Sequence, residues 1–272
     1  MTKESNYLLV LVLCLAVFAL IKILNRFAGK FPLPLQKMVR WLHSIAFEMI
    51  AVTFTFLLRP MGYFSRTKEP HCKAPGRPIL LVHGYLHDRS AWVFLRNELC
   101  RKGFGPVYTL NLFHPLRSIR DHAALVAKKA AEIAEQTKRD DLCLIGHSMG
   151  GLVSAWYALE IAKQGTVTDV ITIGSPLHGT RAAMIALGQN GREMRRGSEF
   201  LCQLQDVMQK NVKNIRFYHI ASKADQLILP WMSAVTGRFP EREYVIEDIG
   251  HMSLLFSPRI AKQIQTWLSS NE

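Results

Sequence analysis

The pentapeptide Gly146-His147-Ser148-Met149-Gly150 constrains this chain more than any other stretch. Asp141-Leu142-Cys143-Leu144-Ile145 precedes it, a short apolar run suited to a buried strand. Gly151 to Glu160 follows and reads as a helix. A serine pinched between strand and helix in a G-x-S-x-G turn is a nucleophile elbow: the turn is strained and lifts the hydroxyl into the open. Gly146 and Gly150 lie two residues to either side, where missing side chains let strand and helix approach closely.

A serine hydroxyl is a weak nucleophile near neutral pH and needs a base, which in turn needs an acid to orient it. With an elbow of this type, chain order runs serine, acid, histidine. The histidines beyond Ser148 are His178, His219 and His251. His178 comes too soon, before any good acid. His219 lies inside Arg216-Phe217-Tyr218-His219-Ile220-Ala221, which reads as a strand interior and makes it a core histidine. His251 follows Glu243 to Ile249 and the turn residue Gly250, in a loop beyond the last strand, where a catalytic base belongs. The acid is expected just past the preceding strand, and Asp225 falls at that exit, ahead of Pro230. Asp248 is its rival but stands only three residues before His251, and Asp206 lies in a helical stretch.

The oxyanion that forms on attack needs two backbone N–H donors. One is expected from Met149, at the head of the helix, where the helix dipole adds positive character. The other is expected from the loop after Arg77-Pro78-Ile79-Leu80-Leu81-Val82-His83-Gly84-Tyr85, with Tyr85 as the donor and Leu86 as the alternative. His83 reads as a structural residue holding that loop.

Together with Leu81-Val82-His83-Gly84-Tyr85, Gly174-Ser175-Pro176-Leu177-His178-Gly179-Thr180, Asp225 and Gly250-His251, the elbow resembles the α/β-hydrolase superfamily, and within it the bacterial lipases and esterases, over roughly residues 77–268. The resemblance implies hydrolysis of carboxylic esters through an acyl-enzyme, with no metal and no organic cofactor. An insertion after the fourth strand commonly covers the active site in that group. The segment at about 177–213, with Arg192, Arg195 and Arg196 among apolar residues, is therefore expected to be a cap or lid.

The rest of the chain agrees with an α/β fold. Strands are suggested at 78–83, 106–112, 141–146, 169–174, 215–221 and 243–247, and helices at 90–102, 118–138, 149–164 and 258–269. Such alternation predicts a mostly parallel sheet with helices on both faces. Ser118 is placed to cap the long helix, and Gly103 and Gly165 to end two others. The 272 residues, 49% of them hydrophobic, suffice for one sizeable core. The net charge of +13 raises nucleic acid as a partner. No zinc-finger spacing, aromatic-basic RNA motif or recognition-type helix supports it, and the basic residues crowd beside an apolar N-terminus, which fits a membrane surface better.

That N-terminus organises the remaining expectations. Tyr7 to Leu24 is almost wholly apolar and long enough to span, at 7–24. Lys22 and Arg26 stand where a signal peptidase site would be needed, so an uncleaved anchor is preferred to a signal peptide. A second apolar stretch at 41–58 contains His43 and Glu48. It is either a second span with Glu48 paired or a helix lying in the interface, because a lone carboxylate in lipid costs a few kcal/mol. The choice decides on which side residues 77–272 sit, with 61–76 as a linker. Five cysteines with no framework spacing lean towards a reducing compartment. The expected protein is a membrane-anchored serine hydrolase of lipid or acyl esters. A thioesterase or acyltransferase with the same triad, a peptidase, and a catalytically silent interaction module are the alternatives.

Overall fold

The computed structural model describes residues 32–64, 70–72, 74–211 and 213–270, together with Ile23. Six strands form one all-parallel sheet: β1 (Ile79–Val82), β2 (Val107–Thr109), β3 (Leu142–His147), β4 (Val167–Ile173), β5 (Arg216–Ser222) and β6 (Glu243–Ile246). Their order is β2-β1-β3-β4-β5-β6. The central strands are buried along their whole length, which is why they read as continuous apolar runs rather than alternating ones. Chain direction across the sheet reverses between β1 and β3, and a crevice opens at the carboxyl ends of strands beside such a reversal.

Helices cover both faces. On one side α3 (Ile119–Thr137), α4 (Met149–Trp156) and α6 (Glu199–Lys210) bury Ile119, Val126, Ile133, Leu152, Leu201 and Leu204 against the sheet. On the other, α2 (Val93–Arg101) and α7 (Pro258–Ser269) bury Leu95, Leu99, Ile260, Ile264 and Leu268. Ser118 caps α3 in a reciprocal capping box with Asp121. Gly103 and Gly165, at φ +82° and +83°, lie just past α2 and the helical run that follows α4. The segment at 177–213 divides. Its first part, with the short α5 (Gly188–Glu193), lies over the carboxyl ends of the strands. Its second part, α6, contributes Phe200, Leu201 and Leu204 to the core, so these apolar residues do not belong to a cover.

One helix among the described residues is long and apolar enough to cross a membrane, over Leu33–Pro60 of α1 (Leu33–Phe64). The expected anchor at 7–24 lies outside the described residues apart from Ile23. Ser44, Ala51 and Thr55 form a buried stripe on α1, while Trp41, Met49, Phe56 and Leu57 on its other sides are exposed. The stretch expected at 41–58 is thus the middle of a longer helix, and 61–64, placed in the linker from sequence, complete it.

The cysteine reading is corrected. Cys72 and Cys100 are disulfide-bonded, 28 residues apart, while Cys143 and Cys202 are free. Cys72 lies before β1 and Cys100 near the end of α2, so only the tertiary fold brings them together. The lean towards a reducing compartment loses its basis. Cys72→Ser is expected to lower unfolding free energy by on the order of 3 kcal/mol, since the bond closes a loop of moderate length in the unfolded chain. Denaturant titration with and without reductant measures it. Equal midpoints under both conditions would show that the bond contributes nothing.

Candidate active site

Ser148 stands between β3 and α4 with φ +54° and ψ −126°. Such a backbone costs about 1–3 kcal/mol in an L-residue and persists only where its surroundings enforce it. They do so here. The Ser148 N–H donates to the Ile173 carbonyl at 2.9 Å. A Cβ on Gly146 would strike the backbone of Gly150 and Gly151, and one on Gly150 the carbonyls of Val82 and His83. The elbow is therefore packed backbone to backbone against β1 and α4.

Asp225 and His251 meet at the carboxyl ends of β5 and β6, both buried. The Nδ1 of His251 donates to Oδ2 of Asp225 at 2.7 Å. The other carboxylate oxygen, Oδ1, accepts from the N–H groups of Leu227 and Ile228, each at 2.8 Å. The Asp225 carboxylate is thereby fixed in orientation by its own loop. Asp248, the rival, pairs instead with Arg259 at 2.8 Å. Asp206 is exposed on α6. His219 is a buried core residue whose Nδ1 lies 2.8 Å from the Thr172 hydroxyl. Burial holds it at a pKa of about 3.

Ser148 and His251 share the wall of one cavity of about 370 Å³. Among the described residues no hydrogen bond joins their side chains, a looseness common before a substrate is bound. Three further histidines occur in this region, two of them beside His251. His147 lies against it with ring centroids 4.6 Å apart, and its Nε2 donates to the His251 carbonyl at 3.2 Å. His87 lines the cavity. His83 accepts the Leu112 N–H on Nε2 at 2.9 Å and donates from Nδ1 to the Gly84 carbonyl at 2.9 Å, holding the loop after β1 as its sequence position suggested. Burial keeps all three neutral: His83 and His87 at about 4, and His147 well below the ordinary value. His251 differs. Burial pulls it down, but the charge of Asp225, its hydrogen bond and the more distant charge of Glu48 outweigh that and raise it above the ordinary 6.5.

Met149 is the first residue of α4, where backbone N–H groups lack helical partners. Tyr85 and Leu86 line the cavity from the loop after β1, and Leu86 has φ +55°. The Tyr85 hydroxyl donates to the Leu187 carbonyl at 2.9 Å and accepts from its N–H at 3.0 Å, tying that loop to the segment above it. Ala182, Ile185 and Leu187 complete an apolar wall, and Ile185 and Leu187 are exposed around the mouth. No cluster of three or more metal-ligating side chains occurs among the described residues.

Sequence reasoning missed His147 as the support of the His251 carbonyl, because the variable position of the elbow carries no pattern. It also missed the task of Glu48, whose carboxylate accepts the Met252 and Ser253 N–H groups beside His251. Its one signal was a carboxylate in an apolar stretch.

Residues 112–238 match a family described as "PGAP1-like alpha/beta domain". Among solved structures, the mature form of a Bacillus licheniformis lipase superposes with a TM-score of 0.62 at 18% identity, covering 75% of this chain and 95% of that one. Aspergillus fumigatus lipase B gives 0.59 at 18% identity over 72% of this chain and 53% of its own. The naproxen esterase of Bacillus subtilis gives 0.51 at 11% identity over 80% and 97%. The chain has the α/β-hydrolase fold of lipases and esterases.

Proposed function

We propose that this protein is a serine hydrolase that cleaves carboxylic esters of lipid-like acyl groups at a membrane surface. The observation that carries the reading is the buried Asp225–His251 hydrogen bond, which shares a cavity with a serine held at φ +54°. The Ser148 hydroxyl attacks the acyl carbon while Nε2 of His251 takes its proton. The oxyanion accepts from the N–H groups of Met149 and Tyr85. As the tetrahedral intermediate collapses, the alcohol leaves with the proton from Nε2, and Ser148 carries the acyl group. Water, deprotonated by the same nitrogen, attacks the ester in turn and frees the acid and Ser148. Asp225 keeps Nδ1 protonated and stabilises the imidazolium. None of these steps uses a metal or cofactor.

The apolar cavity wall and the exposed Ile185 and Leu187 at its mouth support an acyl chain as the part of the substrate bound there. The two-sided surface of α1 supports an interfacial helix rather than a second span: Glu48 faces the catalytic domain, and Trp41, Met49, Phe56 and Leu57 point away from it. An uncleaved anchor at 7–24 completes the attachment.

Full-length protein in detergent is expected to hydrolyse p-nitrophenyl esters with rates that rise with acyl length. The base must be neutral to act, and His251 binds its proton more tightly than an ordinary histidine. The acid limb of kcat/KM is therefore expected above pH 6.5, with activity lost as pH falls through it. A maximum at short chains would contradict the lipid substrate, and no turnover at any length would contradict ester hydrolysis.

A further inference from the structure

We propose that Glu48, on the helix before the hydrolase domain, is a positioning residue for His251: its carboxylate grips the backbone just beyond the histidine and fixes the loop that aims the imidazole. The inference rests on the reading of His251 as the general base.

Glu48 Oε1 accepts the Met252 N–H at 2.7 Å. Its Oε2 accepts the Ser253 N–H at 3.0 Å and the Ser253 hydroxyl at 2.6 Å. Three donors from two consecutive residues thus converge on one carboxylate about two hundred positions earlier in the chain. Hydrogen bonds to an ionised acceptor are roughly twice as strong as neutral ones. Gly250 leaves room for the grip: a Cβ there would stand 2.5 Å from Glu48 Oε2. Glu48 is the only Asp, Glu, Lys or Arg between Trp41 and Leu58. An isolated charge on so apolar a helix is costly unless it is engaged, and here it is engaged next to the base. The same helix reaches the other side of the site, where Arg59 donates to the Leu86 carbonyl at 3.2 Å. Through these two residues α1 braces both the histidine loop and the loop after β1.

Four groups face His251 and bear on its proton. Asp225 is hydrogen-bonded to it, His147 and His87 are neutral neighbours, and Glu48 acts at longer range. A carboxylate favours the imidazolium, so its removal shifts the acid limb of the rate profile to lower pH. A residue that only holds the fold together lowers stability and leaves that limb in place.

The test uses full-length protein in detergent and a long-chain p-nitrophenyl ester, with Ser148→Ala as the blank. Glu48→Ala is expected to lower kcat by on the order of 100-fold with little change in KM, since small misplacements of a catalytic group cost that much. Glu48→Gln keeps one acceptor and loses the charge. It is expected to fall less and to move the acid limb to lower pH. Ser253→Ala removes only the hydroxyl bond and is expected to lose about fivefold, which keeps the test open if the Glu48 variants do not fold. Wild-type kcat with an unmoved limb in Glu48→Gln, or wild-type kcat in Ser253→Ala where the Glu48 variants do not fold, overturns the proposal. Absence of turnover in the wild type that exceeds the blank overturns instead the triad on which it rests.

Discussion

Ser148→Ala is expected to lower kcat by about a millionfold while leaving the folded state intact. The alanine keeps the Cβ and meets the same backbone strain, so neither packing nor φ changes the balance between folded and unfolded chains. Ser148→Gly sharpens the point. It is expected to be equally inactive yet more stable by about 1 kcal/mol, because glycine adopts the elbow conformation without steric cost. Kinetics and thermal melts on the three proteins check both halves. Activity surviving in either variant would remove Ser148 from the mechanism. A glycine variant no more stable than the alanine one would show that the elbow stores no strain.

Asp225→Asn is expected to cost about 10⁴-fold in kcat with KM little changed. The direction follows from the two bonds on Oδ1. Leu227 and Ile228 present N–H donors there, so the oxygen of an asparagine must take that place. Its amide nitrogen then faces Nδ1 of His251, where Oδ2 now stands. Nδ1 must accept, the ring proton moves to Nε2, and the nitrogen that should receive the serine proton is already occupied. Unlike removal of a surface charge, this inverts a tautomer. NMR of the imidazole nitrogens reports the inversion directly, and steady-state kinetics its cost. Activity within tenfold of wild type would place the orienting acid elsewhere.

Much of the α/β fold was legible because its signals are local. Buried parallel strands read as apolar runs, Ser118 announces the start of α3, and the elbow needs only five residues. Chain order then narrowed the base to His251 and the acid to Asp225, and the fold brings these two within 2.7 Å. What escaped is long-range. Cys72 and Cys100 carry no spacing signature, since their approach depends on how the segment before β1 pairs with β2 beside the end of α2. Phe200, Leu201 and Leu204 read as part of a cover because an insertion of that kind was expected, whereas α6 turns its apolar face into the core. Tyr85 was singled out for its N–H, while its hydroxyl proves to hold the Leu187 backbone on both sides. Glu48 was read as a problem for a membrane helix. Its partners lie more than two hundred residues away, and no pattern in either segment points to the other.

Whether Ser148 is a nucleophile activated by His251 is tested by reaction of the full-length protein with a fluorophosphonate, followed by mass mapping of the adduct. One adduct on Ser148, absent after Ser148→Ala and strongly slowed after His251→Ala, is the expected result. No adduct, or one on another residue, would contradict the assignment of this cavity as the site of a serine hydrolase.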